Sequence, residues 1–68
     1  MTVVINGKKE DLDQPTGLTE LLRQKQIDPD APGFAVAINE AVVFRKVWPE
    51  VMLREGDSVE IIRATQGG

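Results

Sequence analysis

The dipeptide Asn6-Gly7 comes directly after Thr2-Val3-Val4-Ile5, a run dominated by β-branched residues. Asn and Gly both accept positive φ, which a tight two-residue hairpin turn demands, so the pattern predicts a hairpin with strands over residues 2–6 and 8–13. A chain that begins this way has committed its opening to a sheet, and one face of that sheet must be covered by a later segment. Residues 18–24 can do so. Leu18, Leu21 and Leu22 fall on one side of a helical wheel, with Thr19, Glu20, Arg23 and Gln24 on the other. Thr16 or Gly17 serves as N-cap, Arg23 and Lys25 suit the C-terminal half of the helix dipole, and Asp28-Pro29 bars continuation, so the helix should end near residue 26.

After the turn-rich connector Asp28-Pro29-Asp30-Ala31-Pro32-Gly33, large residues alternate with alanine in Phe34-Ala35-Val36-Ala37-Ile38, the mark of a strand with one bulky face. Asn39-Glu40 turns the chain, Val42-Val43-Phe44 reads as a short strand, and Trp48-Pro49 breaks the pattern. A tight turn at Glu55-Gly56-Asp57 introduces a last strand in which Val59 and Ile61 face one way. The predicted order is β-β-α-β-β-β in an α+β fold, one helix across a mixed sheet. Leu18, Leu21, Leu22, Val36 and Ile38 are assigned to the core. Trp48 is assigned a structural place over the sheet edge, the alternative being an anchor for a partner. Ile62 breaks the alternation and should point outward, either as a contact for a partner or as an isolated exposed apolar residue. Arg63 reads as a solvated strand end.

With 68 residues there is room for a single small domain and none for a separate catalytic unit. The chain has no cysteine and no histidine, which removes thiolate nucleophiles, disulfides, the commonest general base and the commonest metal ligands. Asp11, Asp13, Asp28 and Asp30 sit among turn residues and are assigned no acid-base chemistry. The net charge is −3, and the eight Lys and Arg residues are spread along the chain, with Lys8-Lys9 and Arg45-Lys46 the adjacent pairs. That disfavours nucleic acid, whose binders usually carry a basic stripe, and favours a protein partner with a basic cleft. No apolar run reaches the roughly 20 residues that span a bilayer, and the opening residues lack a basic leader before an apolar stretch, so no membrane association and a cytoplasmic location are expected.

The sequence ends Ala64-Thr65-Gln66-Gly67-Gly68, with little to bury and two residues of maximal backbone freedom. By itself this is either a frayed terminus or a presented tail. The expected division is a folded body over residues 1–63 and a flexible tail over 64–68.

A β-β-α-β-β-β order closed by Gly-Gly resembles ubiquitin and its bacterial sulfur-carrier relatives of the β-grasp fold. Within that group the segment Ala37-Ile38-Asn39-Glu40-Ala41-Val42-Val43-Phe44-Arg45-Lys46-Val47-Trp48 resembles the ThiS family of thiamin-pathway sulfur carriers: an Ala-Ile-Asn start, a β-branched pair, and an Arg three residues before a Trp. Asn6-Gly7, Thr19-Glu20-Leu21-Leu22, Glu55-Gly56-Asp57 and the final Gly67-Gly68 fall in that family's order. Phe44 stands where the family often has proline, and Thr65-Gln66 is a more polar lead-in than some members carry.

The resemblance implies a protein that is not an enzyme but a recycled cosubstrate. An E1-like, ThiF-like adenylyltransferase would consume ATP to adenylate the Gly68 carboxylate. Sulfur from a donor relay would displace AMP to leave a thiocarboxylate, and a ThiG-like thiazole synthase would accept that sulfur. No cofactor or metal is implied on the chain itself. Gly67, Gln66 and Thr65 would be the stretch presented to partner active sites, and Ile62 a possible contact. Two glycines keep the lead-in thin, since a Cβ there would crowd the approach to a buried nucleotide. The same features also fit the small subunit of molybdopterin synthase, a ubiquitin-like protein modifier, and a β-grasp interaction module without tail chemistry.

Overall fold

The computed structural model describes residues 1–64. They form β1 (Thr2–Ile5), β2 (Lys8–Asp11), α1 (Leu18–Gln24), β3 (Phe34–Ile38), β4 (Ala41–Val42), a 3₁₀ helix (Arg45–Glu50) and β5 (Ser58–Arg63). The five-stranded sheet has the order β2-β1-β5-β3-β4. The last strand therefore lies in the middle, parallel to β1 through Val4↔Ser58 and Ile5↔Val59 and antiparallel to β3 from Phe34↔Arg63 to Ile38↔Val59. This is the β-grasp arrangement anticipated from the strand order.

Both hairpins turn where the sequence says they should. Asn6 and Gly7 have φ of 50° and 84°, Asn39 and Glu40 of 53° and 72°, all in the left-handed region that a right-twisted hairpin needs. The side chains brace these turns. Asn6 Oδ1 accepts from the Ile61 amide at 2.8 Å, and Asn39 Oδ1 accepts from the Ser58 amide at 2.9 Å while its Nδ2 donates to Asp57 at 3.0 Å. Asp57 also accepts from the Arg54 amide at 2.8 Å, closing the turn around Gly56, whose φ is 83°.

Leu18, Leu21 and Leu22 of α1 are wholly buried against Val3, Val36 and Val59 of the sheet, with Ile5, Leu12, Trp48 and Leu53 completing the core. Each such side chain contributes on the order of 1.5–3 kcal/mol on burial. Ile38, assigned to the interior from sequence, is half-buried and packs against that cluster from its margin.

The elements depart from the sequence expectations at their ends. The hairpin arms are shorter, Thr2–Ile5 and Lys8–Asp11. The helix stops at Gln24 because Gln26 enters the left-handed region at φ 63°. The Gln26 amide then reaches Arg23 O at 2.9 Å and the Ile27 amide reaches Leu22 O at 2.9 Å, a Schellman closure with Gln where Gly is usual. Gly17 is the N-cap, with no side-chain cap bond, while the buried Thr16 turns its hydroxyl to Gln14 O at 2.9 Å. The fourth strand is confined to Ala41–Val42, and where Trp48-Pro49 read only as a break the chain forms a 3₁₀ helix.

Candidate functional site

Directly opposed residues of an antiparallel ladder share a face, and successive residues alternate. Val36↔Ile61 and Ile38↔Val59 therefore face α1, whereas Ala35↔Ile62 and Ala37↔Glu60 face away from it, together with Ala37↔Val42. Ile62 thus lies on the outer face of the sheet, as its break in alternation predicted, and is 48% exposed. It has company that the sequence reading did not assemble. Val42 is 64% exposed on the same face, and Phe44, 77% exposed, follows two residues later at the start of the 3₁₀ helix, after Val43 packs inward. The floor between them is Ala35 and Ala37, which add no bulk. The signal was present in the sequence as Val42 and Phe44 alternating about Val43, but it needed the β3–β4 register to bring them beside Ile62.

Arg63 is exposed opposite Phe34, and the Ala64 amide donates to Gly33 O at 2.8 Å. The remaining predicted site residues, Thr65, Gln66, Gly67 and Gly68, lie outside the described residues, as does all but the first residue of the expected tail.

Trp48 is 2% exposed, and its indole N–H donates to Val43 O at 2.8 Å, so it belongs to the core rather than to a partner. Its ring lies 5.4 Å from that of Phe34, tilted by 38°. The guanidinium of Arg45 sits 4.4 Å from the Trp48 ring centroid and 4.8 Å from that of Phe34, and it donates to the carbonyls of Pro29 and of Phe34, the latter at 3.1 Å.

Two of the carboxylates assigned no chemistry make local hydrogen bonds. Asp28 accepts from the Asp30 amide at 2.9 Å, and Asp11 from the Thr2 hydroxyl at 2.7 Å. Among the described residues no three His, Cys, Asp or Glu side chains gather as a metal site, and no helix is long and apolar enough to cross a membrane. A shallow indentation lined by Thr2, Lys9, Glu10 and Asp11 lies toward the β2 edge, separated from β5 by β1. What the described residues offer is an exposed outer face beside the end of the central strand, with Ile62 and Val42 as its apolar side chains and Glu60 as a charged one.

A sequence model of the ThiS family matches residues 3–68. The crystal structure of a thiamine biosynthesis protein (ThiS) from Geobacter metallireducens superposes with a TM-score of 0.83 at 28% identity, covering 100% of both chains. The solution structure of a thiamine biosynthesis protein from the same organism gives a TM-score of 0.78 at 28% identity, covering 100% of this chain and 88% of that one. No curated protein matches at a significant level. A family match extending from the first strand through Gly68, on a β-grasp fold shared over its whole length with a ThiS protein, shows that this chain belongs to the ThiS family of small sulfur carriers.

Proposed function

We propose that this chain delivers sulfur for thiamine biosynthesis on the carboxylate of Gly68, with residues 64–68 as the presented tail of a body formed by residues 1–63. The observation that carries the reading is the ThiS family match, which runs through both terminal glycines. The reaction is one of group activation. The carboxylate attacks the α-phosphate of ATP held by a ThiF-like adenylyltransferase, pyrophosphate leaves, and an acyl-adenylate forms. A sulfide equivalent from the donor relay then displaces AMP, and the resulting thiocarboxylate gives its sulfur to a ThiG-like thiazole synthase. ATP and sulfur belong to the partners, and the carrier holds no cofactor of its own. Such a cycle runs in the cytoplasm.

The outer face complements that chemistry. A tail threaded into another protein's nucleotide site needs a docking surface beside it, and Ile62, Val42 and Phe44 supply apolar area next to the end of β5. The chain also has no cysteine or histidine to capture or hydrolyse an activated acyl group. The test is the intact mass of the untagged protein after incubation with ATP, the adenylating enzyme and a sulfur donor. Exchange of one oxygen for one sulfur, mapped to the Gly68 peptide, is the expected result. An unchanged mass would refute the reading, and adducts branching from lysines would reassign the chain to protein modification.

A further inference from the structure

We propose that Arg45 is a positioning residue for the reactive tail, acting through Gly33 on the point where the chain leaves the sheet. The proposal rests on the reading that Gly68 is adenylated. Among the described residues, β5 beyond Ile61 is braced on the β3 side alone. On the β1 side the last brace among the described residues is the Asn6 side chain at Ile61. On the β3 side the ladder runs to Phe34↔Arg63, and one further bond, Ala64 N–H to Gly33 O at 2.8 Å, holds the exit. The acceptor in that bond belongs to a glycine at φ 93°, with nothing within 4 Å of where a Cβ would stand, so no side chain of its own fixes it.

Arg45 fixes it from both flanks. Its guanidinium donates to Pro29 O on one side of Gly33 and to Phe34 O on the other. The Phe34 carbonyl faces the β4 side, where the Val36 carbonyl two residues on accepts from the Val43 amide at 2.9 Å. Arg45 therefore continues with a side chain the ladder that β4 abandons after Val42. The clamp is anchored in the core, because in a 3₁₀ helix residues i and i+3 eclipse, which sets Arg45 over Trp48. A planar fork that stacks on two rings while donating to two carbonyls requires guanidinium; an ammonium is a compact point charge and cannot reproduce the arrangement. This gives the Arg-three-before-Trp spacing a physical role.

The test compares the full chain with its Arg45→Lys and Arg45→Ala variants by ¹⁵N relaxation and by steady-state adenylation with the partner enzyme. In the wild type the amide order parameter of Ala64 is expected in the rigid range near about 0.85, and in both variants below about 0.6, while Val36 and Val59 stay rigid. In kinetics kcat should fall on the order of tenfold, since a mispositioned reacting group loses proximity, with KM for the carrier little changed because the outer face is untouched. Equal loosening of Ala64 and Val59, loss of amide dispersion in both variants, an unchanged Ala64, or a loosened Ala64 with unchanged kcat would each overturn the positioning role. A wild-type chain that is not adenylated at all would refute the sulfur-carrier reading, and with it the catalytic part of this proposal, while the relaxation data would still decide the clamp.

Discussion

Asn6 and Ile61 are joined by a 2.8 Å hydrogen bond from the Ile61 amide to the Asn6 side-chain oxygen, two residues beyond the last β1–β5 pair at Ile5↔Val59. A turn residue thereby does the work of a longer strand. Replacing it tests two effects together. Asn6→Ala removes the acceptor, at about 0.5–1.5 kcal/mol for a hydrogen bond that water can reach, and puts a Cβ-bearing residue without a local polar partner at φ 50°, at about 1–2 kcal/mol. Asn6→Gly relieves the second effect and should keep only the first, so urea unfolding of the pair separates them.

Two residues occupy left-handed backbone without the side chains that suit it: Gln26 at φ 63° in the helix closure and Glu40 at φ 72° in the second hairpin. Gln26→Gly and Glu40→Gly should each stabilise the fold by about 0.5–1 kcal/mol, because relief of strain exceeds the entropy that glycine adds to the unfolded chain. Thermal unfolding should show a rise of several degrees for each, and an unchanged or lowered midpoint would contradict the strain.

The core at the helix face should be sensitive to lost volume. Leu21 and Leu22 are both fully buried, and Leu21→Ala or Leu22→Ala should cost about 2–5 kcal/mol. In a domain this small, that loss is a large part of the whole, and denaturant midpoints should fall sharply.

Deleting Gly68 should abolish thiocarboxylate formation and leave the thermal midpoint within experimental error, as among the described residues the fully buried core ends at Val59, with Ile61 packed at its margin. A deletion variant that still supports thiazole formation in a deficient strain would sink the assignment of the working group.

The outer face makes a separate prediction. Ile62→Asp and Phe44→Ser should weaken binding to the adenylating enzyme by about tenfold or more, equivalent to about 1.4 kcal/mol, while changing stability by less than about 1 kcal/mol. Met52 is a matched control: it is 55% exposed but pairs with Gly17 at the start of α1, and Met52→Ser should leave binding unchanged in titration calorimetry.

The local code was most readable where one residue type has one physical use. Asn6-Gly7, Gly56 and the leucines of α1 announce their conformations because few alternatives suit them. Residues 45–50 were opaque: a 3₁₀ helix has no apolar period of its own, and Pro49 inside it looks like an interruption. The outer patch was half legible. Ile62 stood out by breaking alternation, but Val42 and Phe44 joined it only once the register of β3 with β4 was known, which is a long-range fact. Arg45 was noticed as a spacing, and its grip on the Pro29 and Phe34 carbonyls depends on the fold around it.

Placing Ser58–Arg63 between β1 and β3 also has a consequence for how the protein is made. The pairing of Ile5 with Val59 joins opposite ends of the chain, the kind of non-local contact that slows folding, and it cannot form until β5 has emerged from the ribosome. Neither β1 nor β3 has its central neighbour before then. An interrupted or clipped chain that lacks the last strand has no completed sheet and lacks the Ile62 part of the outer face. On the function proposed above, the end that would carry sulfur follows directly in sequence from this keystone strand, so a loadable terminus would be displayed only on a finished scaffold.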